Sequence, residues 1–304
     1  MKILVSDPID AEGIRKLEDA GFKVALKPKI SNKELRRIVA NYDVLIVRSR
    51  TKVTKEIIEA GKQLKLIGRV GVGLDNIDLT AAEENCIKVI NTPEAPAQAV
   101  AELTFGLILS LARNIPQADH SIKKCKWIKN ELTGWELKGK TLGIVGLGHI
   151  GELVAKLAKA FEMNILITNR VPICKALLKV FEAEFVPLSE LLKRSDIVTI
   201  HIPYTSDTHH MISEKELKLI KTGAYLVNTS RGPIVDENAL LKGLLSGKLK
   251  GAALDVYELE PPISWTLMKL PNVVCTPHIG AETEEAQKTG AILMADKIIS
   301  FFAS

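Results

Sequence analysis

The sequence has no close pair of cysteines. Cys86, Cys125, Cys174 and Cys275 stand far apart without a CxxC spacing, which reads as reduced, unligated thiols rather than a disulfide framework or a metal site. Long apolar runs are missing too. The longest, LTFGLILSLA at 103–112, is closed by Arg113, short of the roughly 18 residues a membrane helix needs. The N-terminal MKILVSDPID holds a strand-like run cut by Asp7-Pro8, unlike a signal peptide. No block of like charges occurs: 41 basic residues are scattered among 36 acidic ones, for a net charge of +5. The concentrated basic stripe that nucleic acid favours is therefore absent, and the modest excess suits a small anion. Internal repeats and low-complexity tracts are lacking as well. What remains is 304 residues, 46% hydrophobic and 25% charged. That is ordinary globular composition with room for two cores, expected in the cytoplasm.

Two alternating series organise the chain. KILVS (2–6), KVAL (23–26), DVLIV (43–47), LKLIGR (64–69) and IKVI (87–90) are strand candidates separated by helical stretches such as 11–21. NTPEAPAQ (91–98) interrupts, and a long helical stretch over roughly 97–130 follows. A second series begins at KTLGIVGLG (140–148) and continues through 163–168, 183–188, 196–202, 224–230, 251–256 and 272–277, before a last helix at 284–302. Such alternation implies parallel sheets with crossover helices, hence two doubly wound α/β units.

GLGHIG (146–151) follows the apolar strand TLGIV and opens the helix ELVAKLAKAF. In that context GxGxxG predicts dinucleotide binding. Gly146 permits the turn, Gly148 lets backbone approach a pyrophosphate, and Gly151 packs helix on strand. The helix N-terminus offers N–H groups and a positive dipole end. His149 faces either a phosphate or solvent. The next strand ends at Asn169-Arg170, where an acid ordinarily holds the adenosine ribose and repels a 2′-phosphate. Asn169 can still hydrogen-bond a ribose. Arg170 either grips a phosphate or lies in solvent, so NAD is expected with NADP possible.

Three later strands end in reactive side chains: Arg231 in NTSRGPIVDE, Asp255 and Glu260 in LDVYELEPP, and His278 in TPHIG. Ligands of open parallel sheets bind beyond the carboxyl ends of strands. Arg231 suits a carboxylate, His278 can give or take a proton, and a carboxylate at Glu260 would favour the protonated imidazole. Each also has a plain reading as a surface or loop residue. In the first series, Arg48, Arg50 and Lys52 alternate after a strand and would share one face if extended, forming a cationic patch for a phosphate. Gly71 and Gly73 would free backbone N–H groups to hold a carboxylate.

Jointly, RSRTKVT (48–54), GVGLDNID (71–78), GLGHIG, NTSRGPIVDE, LDVYELEPP and TPHIGAETEEAQ resemble the D-isomer-specific 2-hydroxyacid dehydrogenases, in particular their D-3-phosphoglycerate dehydrogenase branch. The resemblance implies a Rossmann dinucleotide-binding domain (93–281) inserted in a discontinuous, flavodoxin-like substrate domain (1–92 plus 282–304). It implies the short form without the C-terminal regulatory domain, and a homodimer through the helices and arm of about 97–135. NTPEAP and HIGAET would be the two hinge crossings. Arg231 would bind substrate, with Glu260 and His278 as the acid–base pair. Asp255 would meet the nicotinamide carboxamide, and Ile150, Ile202, Thr229 and Gly280 would add cofactor contacts. Arg48, Ser49, Arg50, Val72 and Gly73 would hold the substrate, a small anionic 2-hydroxy or 2-keto acid. No metal, nucleic acid or membrane is implied.

Two departures concern the cofactor: His149 replaces an arginine usual in the family's loop, and Asn169 replaces its aspartate. His201 ends a buried strand and reads as structural, while His209 and His210 match nothing catalytic. A glyoxylate or hydroxypyruvate reductase using NADPH is an alternative. So is a dinucleotide-sensing protein like the corepressors that resemble these enzymes, although no disordered recruiting tail is evident.

Overall fold

The computed structural model describes residues 1–303, which divide into two compact units: Met1–Ala99 with the segment from Ala281 onward, and Val100–Gly280. In the first unit, β1 (Lys2–Val5), β2 (Lys23–Leu26), β3 (Val44–Val47), β4 (Leu66–Arg69) and β5 (Lys88–Asn91) form a sheet in the order β2-β1-β3-β4-β5. Every pairing is parallel. This is the flavodoxin-like order. Strand β3 is buried along its whole length, as expected of a strand covered by helices on both faces.

Local chemistry sets the helix starts. Asp10 caps α1 (Ala11–Asp19) through the Glu12 N–H, Ser31 caps α2 (Asn32–Ile38) through the Glu34 N–H, and Asp78 caps α4 (Leu79–Glu84) through the Ala81 N–H; α3 spans Lys55–Ala60. Each side chain satisfies a donor that the helix itself leaves unpaired. The terminal helix Glu284–Ala303 belongs to this unit, where Met294, Ala295 and Ile298 pack with Ile3, Val5 and Leu66.

In the second unit, β6 (Thr141–Val145), β7 (Asn164–Thr168), β8 (Ala183–Phe185), β9 (Ile197–Ile200), β10 (Ala224–Asn228), β11 (Leu249–Leu254) and β12 (Val273–Cys275) lie in the order β12-β11-β10-β9-β6-β7-β8. All pairings are again parallel. Counted from β6, the order is that of the Rossmann fold with one further strand, and it reverses between β6 and β9. Both fold-class expectations hold.

The long helical stretch expected over 97–130 is instead broken. It resolves into α5 (Ala97–Arg113) and α6 (Ile115–Lys123), bent by 67°, followed by a short 3-10 turn at Lys129–Glu131. Asn114 between them adopts the left-handed conformation, with φ 52° and ψ 38°, and Pro116 lacks the N–H that a continuous helix would use. Among the described residues, no single helix is long and apolar enough to cross a membrane.

Helix α1 and the terminal helix approach closely at Gly13, where a Cβ would lie 2.6 Å from the Ala291 carbonyl oxygen. Gly13→Val should therefore push the helices apart and cost about 1–3 kcal/mol, as overpacking does. Chemical denaturation reads this directly; an unchanged midpoint would mean that the helices are not in contact there.

Candidate active site

The glycine loop sits at the reversal point of the larger sheet. Gly146 has φ 98°, and a Cβ on it would lie 2.6 Å from the His201 carbonyl and from the Ile202 methyl group. A Cβ on Gly151 would overlap the Gly146 carbonyl, whereas one on Gly148 would meet nothing within 4 Å. The loop is thus tight on the protein side and open at Gly148, where a diphosphate needs backbone to be bare. Helix α7 (His149–Ala160) starts directly after it, with Gly148 as N-cap and His149 exposed in its first turn. Ile150 follows, partly buried against the unit's core.

Asn169 reaches back to this loop. Its Oδ1 accepts from the Leu147 N–H at 3.4 Å, and its Nδ2 donates to the Val171 carbonyl at 3.0 Å. Arg170 is highly exposed and lies 3.9 Å from the equally exposed Asp207; a surface pair of this kind contributes little. The other expected cofactor residues cluster nearby through the protein's own bonds. The Thr229 hydroxyl pairs with that of Thr104 at 3.0 Å, and Ser230 Oγ donates to the Ile202 carbonyl.

Around β11 and β12 the expected catalytic side chains come together. His278 Nδ1 lies 2.7 Å from Glu260 Oε2, and both side chains are about two-fifths exposed, at 44% and 38%. Burial pushes the Glu260 carboxyl up. The hydrogen bond and charge of His278, the Tyr257 N–H and the charge of Arg231 outweigh it and hold the carboxyl below its ordinary value. Arg231 leaves the end of β10, and its Nη1 donates to the Ser230 carbonyl at 2.8 Å.

Asp255 organises this loop. It is 1% exposed. Its Oδ1 accepts from Thr276 Oγ1 at 2.6 Å and from the Ile279 N–H at 2.9 Å, and its Oδ2 accepts from the Gly280 N–H at 2.9 Å. Expected at a carboxamide, it displays an architectural task that the resemblance did not indicate. Held this way, His278 takes φ 53°, a left-handed conformation that costs a non-glycine residue of order 1–3 kcal/mol.

In the smaller unit the shared cationic face does not form. The chain bends at Ser49–Arg50 after β3. Arg48 instead pairs with Glu282 at 2.6 Å, and Arg50 with Asp7 at 2.9 Å. Lys52 stays exposed on its own. Asp7, seen in the sequence only as a strand terminator, is 1% exposed and accepts from the backbone N–H groups of Arg48 and Thr51 and from the Thr51 hydroxyl. The glycine nest is also partly spent, because the Gly71 N–H donates to Thr92 Oγ1 at 2.8 Å. Val72 and Gly73 follow it in the same turn. Ile9, Arg48, Val70, Gly71 and Gln287 line a small cleft of this unit.

A Rossmann-ordered sheet with this loop at its switch point defines a dinucleotide-binding protein. The family model for the D-isomer specific 2-hydroxyacid dehydrogenase, NAD binding domain, matches residues 105–280. The chain is 47% identical over 299 residues to a D-3-phosphoglycerate dehydrogenase of Methanocaldococcus jannaschii, covering 98% of this chain and 57% of that one. It is 46% identical over 300 residues to a hydroxypyruvate reductase of Thermotoga maritima, covering 98% and 97%. A D-lactate dehydrogenase from Aquifex aeolicus, solved with NAD and lactic acid, superposes with a TM-score of 0.86 at 31% identity, covering 100% and 96%. The chain belongs to the D-isomer specific 2-hydroxyacid dehydrogenase family and carries its NAD(P)-binding domain. It spans little more than half the length of the phosphoglycerate dehydrogenase relative and nearly all of the reductase.

His201, just past β9, has its Nε2 2.9 Å from Thr199 Oγ1 and a buried Nδ1 without a hydrogen-bond partner. Burial pushes its pKa down from 6.5 to about 3. The unfolded chain then binds a proton that the folded chain refuses, so stability falls as pH drops from 6.5 toward about 3. His201→Gln should flatten that fall in melting temperature below pH 6.5; parallel curves for the two proteins would show that the imidazole is charged in the fold.

Proposed function

We propose that the protein interconverts a D-2-hydroxy acid and its 2-keto acid, with D-3-phosphoglycerate and 3-phosphohydroxypyruvate as the substrate pair. The observation that carries the chemistry is the 2.7 Å contact between His278 and Glu260, close to Arg231. The bound nicotinamide supplies the hydride acceptor or donor. The first turn of α7 and Gly148 would hold the diphosphate, and Asn169 would meet the ribose. Ile150, Ile202, Thr229 and Gly280 would add further cofactor contacts, with Asp255 toward the nicotinamide carboxamide. Arg231 binds the substrate carboxylate and polarises the C2 oxygen through its planar fork. Glu260 fixes His278 by Nδ1, which leaves Nε2 to take the C2 hydroxyl proton in oxidation and return it in reduction. Arg48, Ser49, Arg50, Val72 and Gly73 are the substrate contacts that we assign to the discontinuous domain, and α5, α6 and the following arm would supply a homodimer contact.

A second reading is reduction of glyoxylate or hydroxypyruvate. Two observations favour it. The ion pairs of Arg48 and Arg50 weaken the case for a phosphate grip, and Asn169 removes the charge that discourages NADPH. A panel of phosphorylated and plain 2-keto acids, assayed with NADH and NADPH at fixed salt, decides between the two. Preference for phosphohydroxypyruvate supports the first, preference for the plain acids supports the second, and no turnover of any refutes both.

His278→Ala should keep the fold and cofactor affinity but lower turnover by at least about 10²-fold, the low end for acid–base catalysis. Glu260→Gln should also lower turnover and alter its pH profile, because the carboxylate that fixes the imidazole through Nδ1 is gone. Near-normal activity in folded His278→Ala, or an unmoved profile in Glu260→Gln, would falsify the pairing.

Arg170 provides a separate test. A charged hydrogen bond contributes about 1.5–3 kcal/mol, so Arg170→Ala should weaken NADPH roughly ten- to a hundredfold and spare NADH. Asn169→Asp should also disfavour NADPH, while improving the hold on the NADH ribose. Equal changes for both cofactors in Arg170→Ala would mean that the arginine holds no phosphate.

A further inference from the structure

His210 belongs to no motif, yet it touches both segments that carry the proposed chemistry. Its backbone N–H donates to the Pro233 carbonyl at 2.8 Å, inside the Gly232–Ile234 turn that directly follows Arg231. Its Nε2 lies 2.9 Å from Glu258 Oε1, with the side chains only 35% and 29% exposed. Glu258 stands two residues before Glu260. The ring of His209 stacks on that of His210 at 4.0 Å between centroids, and the Tyr204 hydroxyl lies 3.4 Å from His209 Nδ1.

Glu258 is clamped from a second side. Its N–H donates to Glu237 Oε1 at 2.8 Å, and the Glu237 N–H donates to Glu258 Oε1 at 3.1 Å. Burial pushes the Glu237 carboxyl up and the charge of Glu258 adds to it, against the pull of the Glu258 N–H. Two carboxylates therefore share a half-buried corner where the His210 imidazole is their neighbour. Gly232 presses on the same loop, since a Cβ there would overlap the Tyr257 carbonyl. The Tyr257 N–H then donates to Glu260 Oε1 at 3.2 Å, the carboxylate whose other oxygen meets His278.

We propose that His210 is a positioning residue: it ties the turn behind Arg231 to the loop of Glu260 and so sets how Glu260 meets His278. The inference rests on the reading of Glu260 and His278 as the proton-transfer pair. Misplacing a catalytic group by an ångström can cost as much as 10²-fold in rate, while binding groups that do not move keep their affinity.

The test compares His210→Ala, His210→Gln, Glu258→Ala and the double alanine variant in the full chain with the 2-keto acid that the wild type turns over best. Steady-state kinetics against pH, NADH affinity by fluorescence and thermal melting are measured for each. His210→Ala should lose roughly tenfold to a hundredfold in kcat, with KM and NADH affinity within about twofold of wild type, and its pH profile should change in the same way as that of Glu260→Gln. Glu258→Ala should lose at least as much, because it also removes the acceptor of the Glu237 N–H, and the double variant should be no worse than Glu258→Ala, as expected when His210 acts only through Glu258. His210→Gln should recover most of the loss, because its amide can still donate to Glu258. Wild-type kcat and pH profile in His210→Ala, additive losses in the double variant, or a loss that tracks melting or NADH affinity would each overturn the assignment. Should His278→Ala and Glu260→Gln themselves stay active, the proton-pair reading fails and this inference with it. If those two are impaired and His210→Ala is not, only the role of His210 falls.

Discussion

The buried carboxylate of Asp255 is the constraint on which the geometry of the proposed catalytic loop depends. A buried charge is tolerated only when hydrogen bonds replace its water, and here Thr276, Ile279 and Gly280 provide three. The Asp255 carbonyl also accepts the His278 N–H at 2.8 Å. These bonds surround His278 on both sides and hold it in a backbone conformation it would not choose alone. Its imidazole is then directed at Glu260 without any need for the histidine itself to be buried. The His278 side chain is thereby kept half-exposed on a hydrogen-bonded support.

The same device recurs in the smaller unit, where Asp7 ends β1 and gathers the backbone of Arg48 and Thr51. In both sheets a carboxylate at the end of a parallel strand shapes the loop that follows a neighbouring strand. Parallel sheets make this possible because their strand ends lie side by side along one edge. Chemistry contributed by sequence segments as distant as 231, 260 and 278 converges for that reason.

Much of the architecture was legible in the residues. All twelve strands overlap the candidates of the two alternating series; central ones such as β3 and β9 were legible as short apolar runs, since strands buried on both faces need no alternation to be recognised. The glycine loop was legible because its three roles depend on the absence of a side chain. The break at Asn114 is masked by apolar spacing that continues across it, although Pro116 two residues later is a sequence signal against a continuous helix. The even spacing of Arg48, Arg50 and Lys52 suggested a shared face, which the bend at Ser49–Arg50 and two separate acidic partners remove. The tasks of Asp7, Asp255 and His210 were equally hidden. Each acts on groups far away in sequence, and spacing carries no record of such contacts.

On the proposed reading, with Arg231 clamping the carboxylate and His278 carrying the proton, a 2-keto acid would present only one face to the hydride. Chiral chromatography of the 2-hydroxy acid formed by the protein tests this most directly, provided that the keto acid generates a stereocentre at C2. A single D-enantiomer is the expected product. A racemate would contradict a one-sided site, and an L-product would contradict the D-specific reading.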